Sequence, residues 1–75
     1  MEKYRNLGGN SNVSSYEIGE EQITVQFGDG SLYLYNYAST GHDNIERMKI
    51  LASDGLGLNS FINKYVKKRY ARKLR

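Results

Sequence analysis

The chain has 75 residues, with eleven lysines and arginines against eight acidic residues, a net charge of +3, and no cysteine, tryptophan or proline. A chain of this size buries only about 60% of the surface that its unfolded form exposes, so we expect one small domain without a deep active site and without enzymatic activity. The lack of cysteine excludes disulfides and thiolate catalysis, and a single histidine, His42, is too few for a typical structural zinc site, so we expect no metal and no other cofactor.

Residues 1 to 12 are predicted to form a flexible leader. They contain two glycines, three asparagines and few apolar groups, so burial cannot offset the entropy cost of ordering them. The chain shows neither an export signal nor a run of 18 apolar residues. We therefore expect a cytoplasmic protein that does not contact a membrane, and we favour a monomer.

Three strands are predicted to follow. Residues 13 to 18 form a weak candidate, and residues 23 to 27 form the clearest one, because Ile23, Val25 and Phe27 alternate with polar residues at the period of a half-buried strand. Gly28, Asp29 and Gly30 then indicate a hairpin turn, since glycine accepts the positive φ angles of tight turns. Residues 31 to 37 are predicted as the third strand.

The geometry of this turn decides which way the tyrosines of the third strand face. A two-residue loop at Asp29 and Gly30 would place leucines on the core side and leave Tyr33, Tyr35 and Tyr37 on an open face. A three-residue loop with Gly30 in a left-handed conformation would pair Phe27 with Ser31 and turn Tyr33 and Tyr35 toward the core. The sequence leaves both alternatives open.

Two helices are predicted after the strands. Asp43 and Glu46 have the spacing of a helix N-cap and its N3 partner, which favours a helix from about 43 to 53 that ends at residues 54 to 57. Asn59 or Ser60 could cap a second helix. Its apolar stripe would consist of Leu58, Phe61, Ile62, Tyr65, Val66 and Tyr70.

These elements predict an α+β fold, in which a three-stranded antiparallel sheet, with its hairpin centred on Asp29-Gly30, is followed by two helices packed on one face. The predicted domain covers residues 13 to 70. Residues 71 to 75 are expected to form a basic helical end or a frayed tail.

Positive charge is concentrated at the end of the chain. Residues 67 to 75 hold six basic residues and no acid, which leaves five basic residues and all eight acids, a net charge of −3, in residues 1 to 66. Such a basic segment suits an anionic partner such as nucleic acid, although cations also complement the negative end of a helix.

The order of several short motifs resembles the KTSC domain, a module at the C-terminus of some lysyl-tRNA synthetases that also occurs as a stand-alone bacterial protein. The resemblance covers roughly residues 13 to 66. Its motifs are Val13-Ser14-Ser15, Val25-Gln26-Phe27 before Gly30, Tyr33-Leu34-Tyr35, and Ser53-Asp54-Gly55 followed by Leu58-Asn59 and Ile62. The resemblance implies a small module for which an RNA-binding role has been suggested.

The chain departs from this family at two places. The family usually has a longer first hairpin than residues 19 to 22 allow, and a proline before the first helix, where this chain reads Ala38-Ser39-Thr40-Gly41-His42. The middle residue of the Tyr-x-Tyr motif is often polar in the family. The resemblance therefore favours the three-residue turn and an outward-facing Leu34.

The composition and the resemblance together predict a binding module for RNA. Cations would contact phosphates, and sheet tyrosines would stack on bases if their face is open; otherwise the tyrosines are structural. We assign no catalytic residue, because His42 and Asp43 lack a nucleophile. The candidate binding residues are Tyr33, Tyr35, Tyr37, Lys64, Lys67, Lys68, Arg69, Arg72, Lys73 and Arg75.

A protein-interaction domain is the alternative hypothesis. Exposed Leu32 or Leu34, or the corner from Leu56 to Leu58, would then dock onto a larger protein. The edge of the first strand could also accept an extended segment of that partner.

Overall fold

The predicted strands form the centre of a larger antiparallel sheet. A computed structural model describes all residues from 1 to 75. It confirms the α+β class with an antiparallel sheet and helices, but the prediction of three strands is wrong, because the sheet has five, in the order β1-β2-β3-β4-β5. The strands are β1 (Glu2–Lys3), β2 (Val13–Ile18), β3 (Gln22–Phe27), β4 (Leu32–Asn36) and β5 (Arg72–Lys73).

The helices lie between β4 and β5 in the chain. The prediction of two helices is wrong, because there are three: α1 (Tyr37–Thr40), α2 (His42–Asp54) and α3 (Leu58–Phe61), which continues into a π-helix (Ile62–Val66). None of them combines the length and the apolar character that are needed to cross a bilayer.

The turn between β3 and β4 has the three-residue form. The Phe27 N–H donates to the Ser31 carbonyl at 2.9 Å, the Gly30 N–H donates to the Phe27 carbonyl at 2.9 Å, and Gly30 has a φ of 90°. This register pairs Val25 with Tyr33 and Ile23 with Tyr35, so both tyrosines share the side of the sheet that carries the core. Of the two turns that the sequence allows, the structure has the one that turns the tyrosines inward.

The helices cover that side of the sheet. The core joins Ile23, Val25 and Tyr35 of the sheet to apolar residues of the helical segment, all of them buried: Ile45, Met48, Ala52, Leu58, Ile62 and Val66. The opposite side of the sheet has no helix against it. Half-buried Leu32 and Leu34 lie there beside Gln26 and Thr24, their partners across the ladder.

The helix ends differ from the predicted caps. Asn36 caps α1, since its Oδ1 accepts the Ser39 N–H at 2.9 Å, and the non-helical Gly41 alone separates α1 from α2. Asp43 therefore lies inside the first turn of α2 and does not cap it, so the predicted capping pair of Asp43 and Glu46 is wrong. Gly55, with a φ of 76°, ends α2 as expected for a left-handed C-terminal residue.

The first residues belong to the fold, although their composition predicts a flexible leader. Glu2 and Lys3 pair with Tyr16 and Ser15 of β2. The Tyr4 side chain is 3% exposed, and its hydroxyl accepts the otherwise uncapped Leu58 N–H at 3.2 Å. The segment is polar on average, but its Tyr4 is buried in the core and accepts the first N–H of α3. Burial of this ring and its hydrogen bond offset the entropy cost of ordering residues 1 to 12.

The last residues include a strand, whereas the sequence predicts a basic helical end or a frayed tail. The helical segment ends at Val66, and the chain turns back so that the Ala71 N–H donates to the Leu34 carbonyl and the Leu74 N–H to the Leu32 carbonyl, both at 2.7 Å. The outer edge of β4 offers these unpaired carbonyls, and Tyr70 packs against Tyr33 beside it. The strand therefore pairs carbonyls of β4 that a solvated helix would leave unpaired.

Tyr4→Phe tests the role of the first segment. This variant keeps the ring in the core but leaves the buried Leu58 N–H without an acceptor, so we expect the free energy of unfolding to fall by about 1 to 3 kcal/mol in urea titrations. Tyr16→Phe is the control, because the half-buried Tyr16 makes no side-chain hydrogen bond, and it should change stability little. Equal stabilities of the two variants would contradict this role for Tyr4.

Gly30 provides a test of the turn. A β carbon at this position would meet no atom within 4 Å, so only its φ of 90° opposes substitution. We expect Gly30→Val to lower stability by about 1 to 3 kcal/mol and Gly30→Asn to lower it less, since asparagine tolerates positive φ. Thermal unfolding of the two variants measures the difference, and the reverse order would be inconsistent with this turn.

Candidate nucleic-acid interface

A groove of about 320 Å³ opens where the β3–β4 turn meets the end of the π-helix. Four aromatic side chains contribute to it, together with polar residues from three separate segments of the chain. We call it the aromatic groove. Its residues are Asn12, Phe27, Asp29, Ser31, Tyr33, Tyr35, Ile62, Asn63, Lys67, Lys68 and Tyr70.

The aromatic rings of the groove hold one another in place. Tyr33 contacts Phe27 edge to face, with ring centroids 5.6 Å apart, and Tyr70 at 4.8 Å. Tyr70 also packs at right angles to Tyr35 at 6.3 Å. Phe27, Tyr33 and Tyr70 are half-buried and keep part of each ring accessible, whereas Tyr35 is 1% exposed. Tyr35 is therefore a core residue and has no free face for a base.

Burial also changes the chemistry of Tyr35. Desolvation, followed by the neighbouring Tyr33 and Tyr70, raises the pKa of its hydroxyl to about 12. The group stays neutral at physiological pH, which suits its place beneath the groove.

Four cations lie at the aromatic groove or line the depression next to it, and we call them the basic rim. Lys67 and Lys68 line the groove itself, and the Lys73 Nζ lies 5.8 Å from the centre of the Tyr33 ring. Arg75 and Lys73 flank a shallow depression of about 370 Å³ that also includes Asp29, Gly30 and Ser31 of the β3–β4 turn. None of the four forms an ion pair with a carboxylate of the chain, so their charges remain available to an anion.

Three of the predicted cations lie outside this site. Lys64 sits over the exposed ring of Tyr65, at 5.4 Å from its centre. Arg69 lies in the turn before β5, where its carbonyl accepts a hydrogen bond from the buried Thr40 hydroxyl. Arg72 pairs with Leu34 and so lies toward the side of the sheet without helices. The cations do not form the stripe that helical spacing would have produced.

Tyr37 lies at the opposite end of the sheet, in an acidic cluster. Its hydroxyl donates to the Glu46 Oε2 at 2.6 Å, and the Lys49 Nζ lies 2.9 Å from the same oxygen. The bond to Glu46 raises the pKa of the Tyr37 hydroxyl to about 12, and nearby Glu20 and Glu21 add to this effect. The same bond lowers the pKa of Glu46. The Tyr37 hydroxyl is therefore bound to Glu46, and Tyr37 is not part of the groove.

The sequence interpretation missed several groove residues. The sequence pattern places Phe27 and Tyr70 on the core faces of a strand and a helix, and Asp29 in the turn alone. One signal is present in the sequence, because Tyr70 lies among the cations of residues 67 to 75. Aromatic residues interleaved with cations are typical of surfaces that stack on bases and attract phosphates. Asn12 and Asn63 carried no comparable signal.

Comparison of the chain with protein-family models, with curated proteins and with solved structures found no match. The resemblance to the KTSC domain therefore stays a prediction that depends on the motifs themselves.

The contact between Tyr37 and Glu46 predicts how stability depends on pH. Because folding lowers the pKa of Glu46 below its ordinary 4.5, the contact stabilises the fold above that pH, and this contribution is lost as the pH falls through the lower pKa of the folded state. We expect Tyr37→Phe to lose less stability than the wild type between neutral and acidic pH. Urea titrations at several pH values measure this, and parallel curves for the two proteins would contradict it.

Proposed function

We propose that the chain is a small, non-catalytic module that binds single-stranded RNA at the aromatic groove and the basic rim. The observation that carries this proposal is that three unpaired cations, Lys67, Lys68 and Lys73, lie at partly accessible aromatic rings, with Arg75 in the adjoining depression. Phosphates would contact the basic rim, and an unstacked base would lie against Tyr33 and its aromatic neighbours.

The distribution of charge supports binding of RNA through the end of the sheet that carries the groove. The basic rim surrounds the β3–β4 turn, whereas Glu20, Glu21 and Glu46 lie at the other end of the sheet. The groove therefore faces a polyanion while the acidic end points away from it. Binding of this kind is dominated by counterion release, so affinity falls steeply with salt and depends little on sequence.

The shape of the groove supports a single strand. Its volume of about 320 Å³ is at the lower end of the range of small-molecule sites, roughly 300 to 1,000 Å³, and suits one base rather than a helix. Bases in a duplex are stacked and paired, so only an unpaired base reaches such rings.

We also propose that the chain is a cytoplasmic member of the KTSC-like modules. The positions of the motifs support this: Val13 begins β2, Tyr33 and Tyr35 face the helices, and residues 53 to 59 form the corner between α2 and α3. An RNA-binding role suggested for that family agrees with the groove.

The first test is the salt dependence of RNA binding by Lys67→Gln/Lys68→Gln. If both lysines contact phosphates, the slope of log affinity against log salt for a fluorescent single-stranded RNA should decrease in magnitude by about 1.4, which is 0.7 for each phosphate contact. Lys3→Gln/Arg47→Gln is the matched control, because it removes two exposed cations outside the groove and should leave the slope nearly unchanged. Substitutions are preferable to deletion of residues 67 to 75, which would also remove β5 and Tyr70 from the fold.

The outcome of that titration separates the hypotheses. Equal slopes for the two double variants would exclude phosphate contacts at the basic rim. No binding by the wild type at low salt would overturn the RNA proposal as a whole.

The second test is the aromatic contact. We expect Tyr33→Leu to weaken RNA binding by about 5- to 150-fold, because stacking contributes about 1 to 3 kcal/mol per base, whereas Tyr33→Phe should bind nearly as well as the wild type. Tyr65→Leu, at a tyrosine that is 54% exposed outside the groove, is the control. Circular dichroism of each variant establishes that it is folded, and equal affinities of folded Tyr33→Leu and Tyr65→Leu would contradict stacking on Tyr33.

Docking onto a protein is the second candidate function. The observation that favours it is the side of the sheet without helices, where Leu32 and Leu34 lie close to Leu74, which is 43% exposed. The predicted corner contributes less, because Leu58 is fully buried and only Leu56 is exposed. The edge of β2 is already occupied in part by β1. Leu34→Ser would impair this function and leave RNA binding unchanged.

A further inference from the structure

Asp29 is the one acidic residue of the aromatic groove. It lies at the tip of the β3–β4 turn and lines both the groove and the shallow depression next to Lys73 and Arg75. A carboxylate repels phosphate, so its place inside the basic rim weakens the very contacts that the rim provides. This position calls for a role other than binding the RNA backbone.

The two oxygens of Asp29 have different surroundings. Its Oδ1 accepts the Ser31 N–H at 3.0 Å and the Ser31 hydroxyl at 2.7 Å. Its Oδ2 has no hydrogen-bond partner within the chain, and the residue is exposed. The bonds to Ser31 thus orient the carboxylate and leave one acceptor oxygen free on a residue that lines the groove.

The free oxygen accepts hydrogen bonds and cannot donate them. The bonds from Ser31 lower the pKa of Asp29, so the group is ionised at neutral pH. Cytosine, adenine and guanine each present an exocyclic amino group that donates to such an oxygen. Uracil presents a carbonyl oxygen in place of the cytosine amino group, and two oxygens of this kind next to each other repel.

We propose that Asp29 determines the base specificity of the groove, favouring bases with an exocyclic amino group and disfavouring uracil. This inference rests on the RNA-binding function proposed above. The cations and rings supply affinity for any single strand, and Asp29 supplies the discrimination.

The test compares the binding of fluorescent oligo(rC), oligo(rA) and oligo(rU) of equal length at one salt concentration. The decisive ratio is that of oligo(rC) to oligo(rU), because these bases have similar size and stacking surfaces. A hydrogen bond to a charged group contributes about 1.5 to 3 kcal/mol, so we expect the wild type to prefer oligo(rC) by about tenfold or more.

Asp29→Asn changes the free oxygen and keeps the turn. The amide oxygen can still accept the Ser31 N–H, while the amide nitrogen now donates to a uracil carbonyl. We expect the ratio of oligo(rC) affinity to oligo(rU) affinity to fall to about one or below, because oligo(rC) loses its hydrogen bond to the carboxylate and oligo(rU) gains one from the amide nitrogen. Asp54→Asn removes the same charge outside the groove and should preserve the preference.

A modified ligand makes the test independent of the folding of any variant. Wild-type protein should bind an oligonucleotide of N4,N4-dimethylcytidine no better than oligo(rU), since the amino donors are absent. A wild-type ratio near one, or an unchanged ratio in folded Asp29→Asn, would overturn the role of Asp29 while RNA binding itself stands. Failure of every oligonucleotide to bind would overturn the proposed function and this inference with it.

Discussion

The register between β3 and β4 is the constraint on which the rest of the structure depends. Glycine at position 30 accepts a φ of 90°, and the resulting three-residue turn sets Tyr33 opposite Val25 and Tyr35 opposite Ile23. A shift by one residue would send both tyrosines to the side without helices and bring leucines beneath α2. The core under the helices and the aromatic groove at its end are both consequences of this register.

The two terminal segments add contacts to the core that the central strands and helices form. Tyr4 closes the start of α3 with its hydroxyl, and Tyr70 extends the aromatic cluster of Tyr33 and Tyr35 before the chain pairs with β4. Each terminal segment is polar on average but contributes one large ring: Tyr4 is buried in the core, and half-buried Tyr70 packs against it. In a domain of this size, where a limited fraction of the surface is buried, both contacts matter for the packing.

The sequence predicts the features that depend on neighbouring residues. It does not predict those that depend on contacts between residues far apart in the chain. Alternation in residues 23 to 27, the glycine turn and the end of α2 near Gly55 all follow from neighbouring residues, and the structure has them. The strand β5 depends on free carbonyls of Leu32 and Leu34, some forty residues earlier in the chain, so helical spacing of lysines could not reveal it. The groove is partly predictable. The sequence indicates the basic segment and Tyr33, but it does not show that Phe27 and Tyr70, which are distant in the chain, both contact Tyr33.

The short, charged strands at both edges of the sheet have a consequence for self-association. Glu2 and Lys3 form one edge and Arg72 and Lys73 the other, each only two residues long. Charged side chains on brief edge strands disfavour pairing with the sheet of a second molecule, which is a common route to aggregation. The charge of Lys73 thus has two roles, because it borders the groove and also disfavours pairing at the β5 edge of the sheet. A chain without this charge would form intermolecular sheets more readily.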